Sequence, residues 1–143
     1  MITMDLASVN VERLFEVDMI FRIGLQVLLF VASAFFSCSE TALFSLSRLD
    51  MQQLRRERHA RFNTLQSLLE RPRQLIISIL CGNEIINVAA AANMTGILVA
   101  LYGAELGGVL NILVMVPLLL LFGEVTPKTI AVSDPVKVST RII

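Results

Sequence analysis

The stretch Ser33-Ala-Phe-Phe-Ser-Cys-Ser-Glu-Thr-Ala-Leu-Phe44 decides the fold. It closes an apolar run that begins near residue 20, yet it carries Ser33, Ser37, Ser39 and Glu40. Two further apolar stretches repeat the pattern, one with Asn83, Glu84 and Asn87, the other with Glu124 ahead of Pro127 and Lys128. Lipid tails cannot satisfy hydroxyls, amides or carboxylates, so such groups must face one another, water or an ion. Neither solubility nor folding requires them here, and they read as functional.

Composition agrees. The chain has 143 residues, 55% of them hydrophobic, with no Trp and four Pro, and its mean hydropathy is +0.74. That is too apolar for a soluble domain of this size. The reading is an all-α integral membrane domain with three transmembrane helices, over residues 20–46, 75–102 and 109–132. At ~1.5 Å per residue each crosses a ~30 Å hydrocarbon core with length to spare. The turn at residues 103–108, Gly-Ala-Glu-Leu-Gly-Gly, makes the second and third spans antiparallel neighbours.

Charge placement sets an orientation although the net charge is zero. Seven of the twelve Lys and Arg residues fall between residues 48 and 73: Arg48, Arg55, Arg56, Arg58, Arg61, Arg71 and Arg73. Leu49, Leu54, Phe62, Leu65 and Leu68 interleave with them, which predicts a basic amphipathic helical pair at the cytoplasmic membrane surface. Its expected partner is anionic membrane lipid, with no nucleic acid. The acidic residues 1–19 are expected outside as an extracytoplasmic lead-in, and lack the basic n-region of a signal peptide. Lys128, Lys137 and Arg141 return the C-terminus to the cytoplasm. Residues 20–138 then form the membrane domain and 139–143 the truncated start of a juxtamembrane region. Cys38 and Cys81 lie in apolar runs without metal-ligand spacing and read as packing residues. His59, among arginines, reads as a solvated loop residue.

Spacing gathers the polar groups. Ser33, Ser37 and Glu40 fall within ~60° of one helix face, Asn83 and Asn87 stand one turn apart, and Glu84 lies ~60° from Asn87. Pro127 has no N–H, so in α-helical register the carbonyl of Gly123 loses its partner beside Glu124. Hydroxyls, amide oxygens, a free carbonyl and a carboxylate suit a hard cation such as Mg²⁺, and a kinked helix is one way transporters build midplane sites. Other readings stay open. Ser and Asn also serve as interhelical hydrogen bonds, Glu124 and Lys128 at i, i+4 suit a local ion pair, and Glu40 can pair with Arg48. No nucleophile–base pair is present, so an enzyme is not expected.

In these residues the chain resembles the transmembrane domain of the CorC/CNNM family of magnesium transporters, called hemolysin-like in bacteria. The matching stretches are residues 33–48, Leu69-Glu-Arg-Pro72, Gly82-Asn83 with Asn87, and Gly123-Glu-Val-Thr-Pro-Lys-Thr129. The resemblance covers residues 20–138 and implies a three-span homodimer in the bacterial inner membrane that transports Mg²⁺. Export coupled to Na⁺ or H⁺ is the expected mode. Carried over by position, the metal ligands are Ser33, Ser37, Asn83, Asn87 and Glu124; Gly123 joins them through its carbonyl, and Glu40, Glu84 and Lys128 lie beside the site. Family members usually continue into nucleotide-binding CBS domains, which these residues do not include. The chain departs from the family's pattern in having Cys38 for the usual Gly and Glu84 for an uncharged residue. An acidic lining also suits polyamines, which some relatives are thought to export. The rival from another class is a non-transporting membrane anchor or sensor.

Overall fold

The computed structural model describes the backbone of residues 3–143 and the side chains of residues 16–143. Most of the side chains of the expected acidic lead-in therefore lie outside the described residues. The elements are α1 (Thr3–Phe44), α2 (Arg48–Arg56), α3 (Phe62–Leu69), α4 (Pro72–Tyr102), α5 (Ala104–Leu118), a π-helical segment (Leu119–Val125), α6 (Thr126–Ser133) and α7 (Pro135–Ile142). No strand occurs among the described residues. Three stretches are long and apolar enough to cross a membrane: Glu16–Phe44, Pro72–Tyr102 and Ala104–Ser133. The protein is an all-α membrane domain. Helix α1 starts well before residue 20 because no Gly or Pro interrupts the chain ahead of Gly24.

Local chemistry sets the boundaries. Ser47 caps α2: its hydroxyl accepts from the Asp50 N–H at 3.1 Å, and Asp50 Oδ2 accepts from the Ser47 hydroxyl and N–H at 2.7 and 2.8 Å. Those two donors hold the Asp50 carboxyl below the usual aspartate range. Pro72 opens α4, where its missing N–H costs nothing. Gly103, at φ +83°, ends α4 in a conformation that side-chain-bearing residues rarely adopt.

Helix α1 is the axis of the bundle. It packs most extensively on α4 and also lies against the π segment, α6 and α7, while α5 pairs with α4. At the end of the bundle near α2 and α3, Leu43, Leu54, Leu65 and Ile79 form a core, with Phe36, Phe62, Val136 and Ile143 packed around it. Helices α2 and α3 thus turn Leu54 and Leu65 toward the protein's own core. Leu49, by contrast, is 75% exposed.

The third span breaks its α register. Thr126 N–H bonds to Leu121 O, five residues back, the signature of a π turn. In this register the carbonyl opposite the missing Pro127 N–H is that of Phe122, whereas in α register it is that of Gly123. Pro117 lies inside α5, just ahead of the π segment.

Two adjacent glycines on α5 test how tightly it seats on α4. A Cβ on Gly107 would lie 2.7 Å from Val99 N and 2.8 Å from Val99 Cα, whereas one on Gly108 meets nothing within 4 Å. Backbone cannot give way as a side chain does, so Gly107→Ala is expected to destabilise by ~1–3 kcal/mol. Gly108→Ala is expected to be neutral or to gain up to ~1 kcal/mol of helix propensity. Thermal unfolding of both variants in mild detergent measures the difference.

Candidate cation site

Helices α1 and α4 run antiparallel, and their polar residues meet rung by rung. On the first rung Asn93 Nδ2 donates to Arg22 O at 2.9 Å and to Gln26 Oε1 at 2.8 Å. Gln26 Nε2 approaches Met115 Sδ of α5 at 3.8 Å, and Gln26 is buried. Sequence patterning missed this rung, although Gln26, Asn93 and Arg22 are polar residues in otherwise apolar helices. Their spacing was the available signal, since residues 26 and 33 are two turns apart on α1. Asn111 Oδ1 on α5 is also buried without a partner.

The second rung is the expected site. Ser33 is fully buried, and its hydroxyl donates to Asn87 Oδ1 at 2.7 Å, with Asn83 Oδ1 3.4 Å away. Two amide carbonyls and one hydroxyl therefore converge with a single proton among the three oxygens. Gly123 of the π segment closes on the same point: a Cβ there would lie 2.8 Å from Ser33 Oγ. Only glycine lets the third span approach this closely. Gly82 plays a similar part on α4, where an added Cβ would lie 2.5 Å from the Phe36 ring. One turn along α1, the Ser37 hydroxyl is fully buried and has no hydrogen-bond partner. An orphaned buried hydroxyl costs ~1–3 kcal/mol, a cost that packing alone does not explain.

The third rung decides between charge pairings that the sequence leaves open. Lys128 Nζ lies 3.7 Å from Glu40 Oε2, joining α6 to α1. Neither the local Glu124–Lys128 pair nor a Glu40–Arg48 pair forms. Glu124 is half-buried and makes no ion pair or side-chain hydrogen bond among the described residues. Below the second rung, Glu40, Thr41, Phe44, Ser45, Ile76 and Lys128 line a cavity of about 380 Å³.

Glu84 departs from expectation. Asn83 is buried and Asn87 half-buried, but Glu84 is exposed on the outer face of α4. One residue is 100° of helix, enough to carry its carboxylate off the stripe that faces α1. Cys38 and Cys81 are free thiols, and Cys81 is exposed rather than packed. His59 sits in the α2–α3 turn, where its Nδ1 accepts from Arg61 N–H at 3.2 Å. No cluster of three His, Cys, Asp or Glu side chains occurs among the described residues. The convergent donors are hydroxyl and amide oxygens, the chemistry of a hard cation rather than a soft one.

Fold and site together define a helical membrane domain of three spans with a layer of oxygen-bearing side chains buried between them. Residues 24–143 match the Cyclin M transmembrane N-terminal domain (CNNM) family, and the chain belongs to that family. It is 37% identical over 111 residues to the UPF0053 inner membrane protein YfjD of Escherichia coli K12, covering 75% of this chain and 25% of that protein. It is 34% identical over 113 residues to a UPF0053 protein of Haemophilus influenzae, covering 79% and 27%. A DUF21 domain-containing chloroplastic protein of Arabidopsis thaliana is 32% identical over 111 residues, covering 78% and 17%. The chain thus spans about a quarter of the length of the bacterial relatives it matches.

The two serines differ in what their hydroxyls hold: that of Ser33 is bonded to Asn87, and that of Ser37 has no partner. Ser33→Ala leaves Asn87 without its donor and is expected to lower stability by ~1–3 kcal/mol. Ser37→Ala removes a hydroxyl that has no partner to lose, so its melting temperature should equal or exceed that of the parent. Paired unfolding curves in detergent check both signs, and a loss at Ser37 as large as that at Ser33 would overturn the distinction.

Proposed function

We propose that this domain carries Mg²⁺ outward across the bacterial inner membrane, coupled to Na⁺ or H⁺. The ion binds between Ser33, Ser37, Asn83, Asn87 and Glu124; in the π register the carbonyl opposite Pro127 is that of Phe122, so Gly123 contributes through its close approach to Ser33 and not through a freed carbonyl. The observation that carries the reading is the fully buried, unpartnered Ser37 hydroxyl one turn from the oxygens gathered around Ser33. Glu124 supplies the formal charge, and it is free to do so because Lys128 pairs elsewhere. The polyamine reading rested on Glu84 as a second lining carboxylate, and that residue faces outward. A pure anchor or sensor has no use for an orphaned hydroxyl at this depth.

Orientation and assembly belong to the same proposal. The N-terminus lies outside, the C-terminus is cytoplasmic, and α2 and α3 rest on anionic lipid through their arginines. The regulatory CBS domains typical of the family would act on this domain from the cytoplasmic side. Glu84 on a lipid-facing surface would cost ~2.5–3.5 kcal/mol, the insertion cost of charged side chains at a helix centre. A second copy packed on that face of α4 takes Glu84 out of contact with lipid, and the domain works as a homodimer.

One cysteine set tests both statements. In a Cys-free background, Gly108→Cys, where an added side chain meets nothing, should react with impermeant maleimide on intact cells while Gln53→Cys does not, and Glu84→Cys should form an interchain disulfide. Labelling at 53 but not 108 would reverse the orientation, and a monomer mass in nanodiscs would remove the dimer. For the site itself, Glu124→Gln keeps shape and removes charge. Mg²⁺ affinity should fall at least ~10-fold, or ~1.4 kcal/mol, with folding intact. Asn83→Ala should weaken binding less. Isothermal titration with Mg²⁺ decides it, and unchanged affinity in Glu124→Gln sinks the site.

A further inference from the structure

Lys128 has two carboxylates within its compass. Along its own span Glu124 stands four residues back, a spacing that brings side chains together on one helix face. Across the α1 interface Glu40 Oε2 is 3.7 Å from its Nζ, and Glu40 is the partner it takes. The pair sits on the wall of the cavity that also exposes Thr41, Phe44, Ser45 and Ile76. Lys128 retains 42% of its side-chain exposure and Glu40 retains 25%. The ammonium is therefore neither locked in packing nor fully bathed in solvent, and its stem is free to change rotamer.

This arrangement has a consequence for a carrier, and it rests on the cation-site reading given above. When a divalent ion occupies the site, its charge balances Glu124. When the ion departs, a carboxylate is left within the membrane, where an unpaired charge is costly. The next positive group on the third span is Lys128, a compact charge on a flexible four-carbon stem. We propose that Lys128 is a tethered counter-ion that exchanges between Glu40 and Glu124. On Glu40 it leaves Glu124 open for loading; on Glu124 it stands in for the departed Mg²⁺ during the return step, in which the coupling Na⁺ or H⁺ is carried. Glu40 is then a positioning residue, acting on the ion only by holding Lys128 away.

Two measurements test this, and the first needs no transport. A zero-length carbodiimide joins amines to carboxylates in contact. In the full chain, reaction under saturating Mg²⁺ should join Lys128 to Glu40 alone. In EDTA a Lys128–Glu124 product should appear beside it, mapped by peptide mass spectrometry. Absence of that product, or its persistence under Mg²⁺, overturns the exchange.

The second measurement compares Mg²⁺/Mg²⁺ exchange with net Mg²⁺ flux in proteoliposomes. Lys128→Gln should keep exchange, in which the carrier never reorients without Mg²⁺, while net flux falls about 10-fold, equivalent to ~1.4 kcal/mol of lost counter-charge. Equal losses in both modes, or none in either, overturn the proposal. Failure of the site itself is distinguishable, because it shows as unchanged Mg²⁺ affinity in Glu124→Gln.

Discussion

The 2.7 Å contact between the Ser33 hydroxyl and Asn87 Oδ1 fixes how α1 and α4 cross. Between apolar helices in lipid, side-chain packing tolerates several registers, since hydrocarbon on one helix is as good a neighbour as hydrocarbon on the next. A buried polar group tolerates only the register in which it finds a partner. Here Gln26 meets Asn93, Ser33 meets Asn87, and Phe36 lies over Gly82. Sliding α1 along α4 by one turn would break the first two contacts together and drive the Phe36 ring against a side chain. The third span is positioned by the same point, because Gly123 rests against Ser33.

The polar layer separates into groups that hold the bundle together and groups that remain available. Asn93 spends its amide protons on Gln26 and on the Arg22 carbonyl. Ser33 spends its proton on Asn87. Ser37 and Glu124 make no such bond, and they lie on two different spans. Asn111 Oδ1 on α5 is unsatisfied as well. Family membership places the domain among membrane proteins.

Much of this was legible in the sequence. Hydropathy and length gave the three spans, because burial in lipid leaves a simple linear signal. Helical spacing placed Ser33, Asn83 and Asn87 together, because an i, i+4 stripe survives any reasonable packing. Partners across helices were harder to read. Spacing allows Lys128 a local pair with Glu124, yet it reaches Glu40 on α1, since the distance between helices depends on glycines such as Gly123 that sequence periodicity does not weigh. Glu84 was placed within the site's sector by a ~60° tolerance that the actual α1–α4 contact does not grant. The leucines of α2 and α3 suggested a membrane-facing stripe, but Leu54 and Leu65 are claimed by Leu43 and Ile79. Nor does any spacing rule announce a π turn.

That π segment bears on which way the polar groups of the third span face. A π turn holds one more residue per hydrogen-bonded ring than an α turn, and Glu124 lies inside it. If the segment anneals to α register, the surplus residue is absorbed and everything beyond it rotates by roughly 100° about the helix axis. Gly123, which rests against Ser33, and Glu124 beside it would change phase relative to α1. A slip of the backbone ladder is thus enough to re-face one part of the span against the other, with no whole helix displaced across the bilayer.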